Sequence, residues 1–306
     1  MTTKPKRVVV AINPAASFGA SRDVGPAVVQ TLRAMGHEVT SLTEPDFESL
    51  VEVARAAVRT KPDALVVVGG DGMVNLGVGL VASTTVPLGI VPSGTGNDMA
   101  RSLGIPHDDT EAAIRLLGES LGHPARVIDA VRVQWTDAVG VPSERWFACA
   151  LSAGFDAIVN ERANLMRHPK GASRYTIALL AELARLKPLH YRVTLDGEAL
   201  ELDALMVSVA NGHSIGGGMR ITPDAQLDDG LLDVMLVKPL SRFAFLRIFP
   251  SVFKGEHTSD PRVVMRRAKH VRIEVDAPIA AYADGERMGS LPVDVEVEPG
   301  ALHVLA

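Results

Sequence analysis

The chain of 306 residues has one cysteine, so it can form no internal disulfide, and a reducing compartment fits. That residue, Cys149, lies in the apolar run Trp146-Phe147-Ala148-Cys149-Ala150-Leu151, the setting of a small buried hydrophobe and not of a reactive thiol. Aromatic residues make up only 4%, too few for the stacking platforms that hold single-stranded nucleic acid. Positive charge is not in excess either. Lys and Arg number 31 against 36 Asp and Glu, a formal net charge of -5, and no block of like charge is long enough to track a phosphate backbone. No nucleic-acid partner is therefore expected. No stretch of about 18 apolar residues occurs, and the basic start leads into an apolar run too short for a secretory signal. A soluble, cytoplasmic protein is expected, with any membrane contact peripheral.

What is present reads as globular. Hydrophobic residues at 47% and charged residues at 22% exclude a disordered chain, and 27 glycines with 19 prolines are too few for a collagen-like polymer. At about 150 residues per domain the length implies two domains. From residue 7 to about 125, short Val/Ile runs (8–12, 38–42, 64–68, 88–91) alternate with helical stretches (24–35, 47–60, 73–83, 99–103). This is the grammar of a parallel sheet with helices on both faces. Beyond it, segments 126–134, 146–152, 191–195, 204–210, 231–237 and 271–275 read as strands with only two helical interruptions, 173–187 and 241–254. A second, mostly antiparallel domain follows.

Two glycine-rich turns stand between a strand and a helix: Gly69-Gly70-Asp71-Gly72 and Ser93-Gly94-Thr95-Gly96-Asn97-Asp98. Glycines let backbone N–H groups approach a ligand, the helix N-terminus favours an anion, and a carboxylate in the turn can hold a Mg2+ bound to that anion. Both turns, with Asn13-Pro14 to Ser17 after the first strand, open on one edge of the sheet, where ligands of open α/β sheets bind. Neither a P-loop nor a dinucleotide fingerprint is present. Gly212-His213-Ser214-Ile215-Gly216 matches a nucleophile elbow, but glycines and Pro223 follow where a helix is needed. The segment 224–233 lacks the EF-hand spacing and reads either as a tight loop before a strand or as a metal-binding one. Asp284-Gly285-Glu286 reads as a hairpin turn.

Taken in order, Gly69-Gly70-Asp71-Gly72, Gly94-Thr95-Gly96-Asn97-Asp98, the segment 211–233 and Asp284-Gly285-Glu286 resemble the bacterial diacylglycerol kinase and sphingosine kinase family of lipid kinases, over nearly the whole chain. The resemblance implies a Rossmann-like parallel α/β nucleotide-binding domain over residues 1–125. It also implies an antiparallel β-sandwich lipid-binding domain over 126–306, whose last residues return to the first. ATP would phosphorylate a lipid hydroxyl, diacylglycerol giving phosphatidic acid. Asp71 and Asp98, with Asp129 by the same resemblance, would organise Mg2+, while Asn13, Ser17, Arg22, Gly70, Gly72, Thr95 and Asn97 would hold the nucleotide. Glu286 occupies the family's proton-acceptor position, which needs burial or neighbouring charge because an unperturbed Glu is a weak base. Asp229, with the carbonyls of Gln226 and Leu231, would bind a structural Mg2+.

Two positions depart from the family pattern: Met73 stands where Thr is usual, and Asn75-Leu76 where Asn-Glu is usual. The competing readings are an NAD-kinase-like enzyme with a soluble acceptor and a nucleotide-binding regulatory protein without turnover. A lipid substrate at a membrane surface is the expected partner, and a homodimer is compatible with the reading. Phe243, Leu246, Phe249, Pro250 and Phe253 recur at helical spacing beside Arg242, Arg247 and Lys254, as in an interfacial helix or a core face.

Overall fold

Val-rich runs become central strands because β-branched side chains fit a pleat buried on both faces. In the computed structural model, which describes residues 4–13, 23–166, 168 and 172–306, the chain divides into two units, Met1–Ala130 with Pro299–Ala306 and Val131–Glu298. The first runs β1 (Arg7–Ile12), α1 (Val24–Ala34), β2 (Glu38–Leu42), α2 (Phe47–Arg59), β3 (Ala64–Gly69), α3 (Asp71–Val81), β4 (Leu88–Pro92), α4 (Asp98–Leu103) and α5 (Thr110–Ser120). The strands lie in the order β2-β1-β3-β4, all parallel, and β3 and β4 are buried at every position. α2 shows how the helices are specified: Asp46 accepts the Ser49 N–H at 2.8 Å as a cap, and Leu50, Ala54 and Val58 bury one stripe. The sheet's order reverses between β1 and β3, which in open α/β sheets marks the crevice for a ligand.

The second unit contains β6 (Pro142–Phe147), β7 (Ala150–Gly154), α6 (Phe155–Leu165), α7 (Ala172–Leu183), β8 (Leu189–Leu195), β9 (Glu198–Ala204), β10 (Met206–Ala210), β11 (Leu232–Val237), α8 (Arg242–Ile248), β12 (Val263–Ala268), β13 (His270–Val275), β14 (Ala280–Ala283) and β15 (Glu286–Ser290). β5 (Arg126–Thr136) leads into it, and β16 (Val293–Leu305) leads out, its last residues Val304 and Leu305 pairing with Leu88 and Gly89 of β4. One sheet has the order β12-β11-β10-β7-β14-β15, antiparallel throughout. Its inner residues Leu151, Ala153, Val207, Val209, Val234 and Leu236 pack on Tyr191, Val193, Val271, Ile273, Val293 and Val295 of the other, forming the core of a sandwich. The two-domain α/β-plus-β architecture read from the sequence is the one observed.

Three local differences have physical causes. The apolar run 146–152 is not one strand: it breaks at Ala148 and Cys149, because the Asp284 carboxylate accepts from their N–H groups and offers the backbone another partner. The helical stretch 241–254 ends its α-turns at Ile248 and tightens into a 3₁₀ turn, Phe249–Lys254, where Pro250 can donate no backbone hydrogen bond. α6, absent from the sequence reading, starts directly on β7 because Gly154 takes φ 115, which a side chain would resist; a Cβ there would also meet the Tyr191 hydroxyl at 2.5 Å.

Candidate active site

The ends of β1, β3 and β4 are level: Ile12 pairs with Val68, and Gly69 with Pro92. Asn13, Gly69-Gly70-Asp71 and the turn 93–98 therefore leave the sheet at one edge. The two glycine turns touch backbone to backbone, since a Cβ on Gly94 would lie 2.4 Å from the Gly70 Cα, and one on Gly96 would lie 2.2 Å from Asp71 Oδ2. Only glycine fits either place. Asp71 reaches from the first turn of α3 into the second loop, where Oδ1 accepts the Asp98 N–H at 2.8 Å and Oδ2 the Asn97 N–H at 3.1 Å. Asn97, in the left-handed region at φ 55, turns its side chain back: Oδ1 accepts the Gly94 N–H at 3.1 Å and Nδ2 donates to the Gly94 carbonyl at 2.9 Å. Its contribution to the site is the shape of the loop. Arg101, which the sequence reading passed over, donates from Nε to the Gly96 carbonyl at 3.1 Å and brings a cation to the same loop. Gly94 and Thr95 are exposed at the tip.

Burial and the neighbouring Asp98 push the Asp71 carboxyl above the usual carboxylate range, against the pull of the backbone N–H groups. The half-buried Asp71 beside the buried Asp98 would gain from a cation. Among the described residues no three His, Cys, Asp or Glu side chains gather to hold a metal ion. Asp129 thus does not close a cage with Asp71 and Asp98; it is buried, and its Oδ1 accepts the Gly300 N–H at 2.8 Å, pinning the returning chain. A pair of carboxylates still suits Mg2+, which is commonly held by one or two carboxylates, waters and substrate phosphates. Met73 is buried against Gly69, so this position supplies packing. Ser17 and Arg22 lie outside the described residues.

In the second unit, Asp284 and Gly285 form the turn between β14 and β15, with φ 48 and 83. The Asp284 side chain accepts from Ala148, Cys149 and Ala150 N–H groups at 3.0, 3.3 and 2.9 Å, which fixes the turn to the β6–β7 break. Glu286, the first residue of β15, is exposed; the burial expected around it is not provided by the chain alone. Asp229 accepts the Leu231 N–H at 3.1 Å and pairs with Arg267, which also lies 3.6 Å from Asp233. Gln226 is exposed. Arg267 thus offsets the repulsion between Asp229 and Asp233 at the place where the family resemblance puts a structural Mg2+. Cys149 is buried, its thiol 2.9 Å from the Ser214 carbonyl, and Gly216, Gly217 and Gly218 all take positive φ, so no elbow helix follows Ser214.

Nothing in the sequence reading anticipated the cavity of the second unit. It lies over the outer face of the six-stranded sheet and is lined by Phe155, Met206, Met219, Met235, Phe245 and Phe249 among others. Its free volume is about 80 Å³, room for several waters at about 10–15 Å³ each, yet few lining groups could hydrogen-bond them. An apolar chain suits such a cavity better than water does. Its signal in the sequence was the spacing of Phe245 and Phe249 on segment 241–254, which face inward while Phe243, Leu246 and Phe253 are exposed.

Residues 7–130 match the model of the diacylglycerol kinase catalytic domain, and residues 149–306 that of the YegS C-terminal NAD kinase beta sandwich-like domain. A diacylglycerol kinase of Mycobacterium tuberculosis is 39% identical over 300 residues, 98% of this chain and 94% of that protein. The chain belongs to the diacylglycerol kinase family. It is accordingly a kinase of the lipid-kinase class, with ATP as the phosphoryl donor. A diacylglycerol kinase of Bacillus subtilis is 26% identical over 94% of this chain and 92% of its own length. The structure of a putative diacylglycerol kinase from Bacillus anthracis superposes with a TM-score of 0.77 at 22% identity, covering 99% of this chain and 98% of that one. Yeast NADH kinase complexed with NADH has the same fold more distantly, with a TM-score of 0.57 at 12% identity over 98% of this chain and 82% of that one. No helix among the described residues is long and apolar enough to cross a membrane.

Proposed function

We propose that this lipid kinase phosphorylates the free hydroxyl of diacylglycerol to give phosphatidic acid, that the first unit holds Mg2+ and ATP, and that the second holds the lipid. The observation that favours a lipid over a soluble acceptor is the apolar cavity of the second unit. On the first unit, the backbone N–H groups of Gly70 to Gly72 and of Thr95 and Gly96, at a helix N-terminus and a turn, supply donors for phosphate oxygens, with Asn13 at the same sheet edge; the nucleotide roles of Ser17 and Arg22 rest on the family resemblance alone. Asp71 and Asp98 would hold Mg2+, and when bound it neutralises charge on the phosphates. Glu286 takes the proton of the lipid hydroxyl, the hydroxyl oxygen bonds to the γ-phosphorus, and the bond to the bridging oxygen breaks to release ADP. Glu286 being exposed, the lipid itself supplies the dry surroundings that the base requires.

Peripheral docking on a membrane fits the outer face of α8 and the turn after it, where exposed Phe243, Leu246 and Phe253 alternate with Arg242, Arg247 and Lys254, a pattern suited to an anionic surface. The deciding experiment is ATP-dependent labelling of a total lipid extract by the purified chain. Label appearing in phosphatidic acid supports the reading; label only in a soluble acceptor, with formation of NADP from NAD, refutes it.

A further inference from the structure

The cavity of the second unit is apolar except for three titratable side chains, Asp156 from the first turn of α6, Tyr175 of α7 and His257 of the 3₁₀ turn Glu256–Ser259. No Lys or Arg is among the described residues that line it. Asp156 keeps some accessible surface because it lines the cavity, while its Oδ1 is buried without a hydrogen-bond partner. Behind it lie more orphans. Ser152 and Ser208 face each other across β7 and β10; the Ser152 hydroxyl is directed at Asp156, while the buried hydroxyls of Ser208 and Tyr191 have no partner. A buried polar group normally finds a partner, so a cluster of unmet groups beside an apolar cavity marks a place where something polar belongs.

We propose that Asp156, as a neutral carboxylic acid, donates a hydrogen bond to an ester carbonyl of the lipid whose chain enters this cavity, and so selects acyl esters over ether-linked analogues. The proposal rests on the reading that this cavity holds the lipid. The surroundings offer an ionised Asp156 no cation: its neighbours are Tyr175, Tyr191 and Ser152, and burial keeps His257, which lines the same cavity, below its ordinary value despite the Ile221 carbonyl 3.1 Å from its Nε2. Burial likewise raises Asp156, and it is also the main influence that raises Tyr175 and Tyr191. The N-terminus of α6 and the Ser152 hydroxyl oppose this shift but are the smaller influence. A protonated carboxyl is the one donor here whose removal by pH can be followed.

The test uses the full chain, dioctanoylglycerol in neutral detergent micelles, and its 1-O-alkyl, 2-O-alkyl counterpart. Asp156→Leu should raise the KM for dioctanoylglycerol about tenfold, leave the KM for ATP unchanged and bring the diester and diether to equal KM, because one hydrogen bond to a buried donor is worth about that factor. Asp156→Asn, which can still donate, should stay within about threefold of wild type. In wild type the diester KM should rise as pH climbs through the raised pKa of Asp156, and this slope should vanish in Asp156→Asn. Melting temperature should hold or increase in Asp156→Leu, since an apolar side chain removes an unmet polar group. A structural role predicts a fall in melting temperature with the diester preference intact, and that result overturns the proposal. Leu240→Trp, which fills the cavity edge, separates the two levels. If it leaves lipid KM untouched, the cavity does not hold the lipid; if it raises KM while Asp156→Leu does not, only the role of Asp156 fails.

Discussion

Replacing Asp71 tests the first unit most directly, because this carboxylate closes the neighbouring loop and, in the proposed function, also holds Mg2+. Both of its oxygens accept backbone N–H groups of the neighbouring loop, at 2.8 and 3.1 Å. Bonds of this kind to a charged acceptor are worth about 1.5–3 kcal/mol each, and Asp71→Ala would leave two partly buried donors unmet. Against this stands relief: the raised pKa says that ionised Asp71 suffers from burial and from Asp98. The net loss should be about 1–3 kcal/mol, a fall of roughly 2–6 °C in melting temperature for a chain of this size. Asp71→Asn keeps one acceptor but turns an NH2 toward the second N–H, so it should fall between alanine and wild type. Saturating Mg-ATP, at about a hundred times its Kd, stabilises a protein by about 2.7 kcal/mol, and this shift should be lost in both variants together with about 10²–10⁴-fold in turnover. The sign with pH also follows. An acid whose folded pKa is raised contributes stability below its unfolded pKa and loses it as pH rises through the folded value, so wild type without nucleotide should weaken over that window and Asp71→Asn should not. Scanning calorimetry across pH, with and without Mg-ATP, reads all of this. An alanine variant with wild-type melting temperature and an undiminished Mg-ATP shift would refute both tasks.

On the second unit, Glu286→Gln should lower kcat by about 10²–10⁴-fold with the KM for ATP unchanged, measured at saturating lipid; a loss carried by ATP affinity would move Glu286 to the nucleotide site. Arg267→Ala should lower the melting temperature in EDTA and make it rise with millimolar Mg2+, because Asp229 and Asp233 lose their cation. Adding Asp229→Ala should abolish that response, and an unchanged Mg2+ response in the double variant would show that no ion binds there. Phe243→Ser with Phe253→Ser should weaken binding to vesicles containing anionic lipid by about 30-fold or more at constant melting temperature, given about 1.5–3 kcal/mol for a fully buried Phe. Phe249→Ser, which opens the cavity lining, should instead destabilise the fold. Salt should weaken the vesicle contact, and salt-independent binding would count against the basic residues.

How far the fold was legible varies with the kind of constraint. β3 and β4 could be read because parallel strands buried on both faces are continuous apolar runs, and the glycine turns because backbone-to-backbone packing admits no side chain. β14 and β15 could not be read, since Ala-Ala-Tyr-Ala and Glu-Arg-Met-Gly-Ser carry no alternation of their own and are strands only because β14 pairs with β7 and β15 with β14. α5 was passed over for a different reason: its buried residues Ala113, Ile114 and Leu117 make too narrow a stripe in an 11-residue helix to stand out. At the site, residue types and spacing pointed to carboxylates. They could not say which oxygen is already bonded to backbone, because those partners lie far along the chain: 27 residues for Asp71 and Asp98, 171 for Asp129 and Gly300.

One device recurs through these distant pairings. Asp71 holds the N–H groups of Asn97 and Asp98, Asp284 those of Ala148 to Ala150, and Asp196 those of Lys269 and His270. In each case a carboxylate closes a loop by accepting from consecutive backbone donors, the geometry that leaves fewest N–H groups unmet where strands break. The Asp-Gly-Glu turn then divides into separate parts. Asp284 has a side chain short enough to reach the β6–β7 break from a left-handed residue, Gly285 completes the turn, and Glu286, one residue further, is free of that duty and exposed on β15. A motif that reads as two acids is one anchor and one exposed carboxylate, and only the second is available for the role in proton transfer that the proposed function gives it.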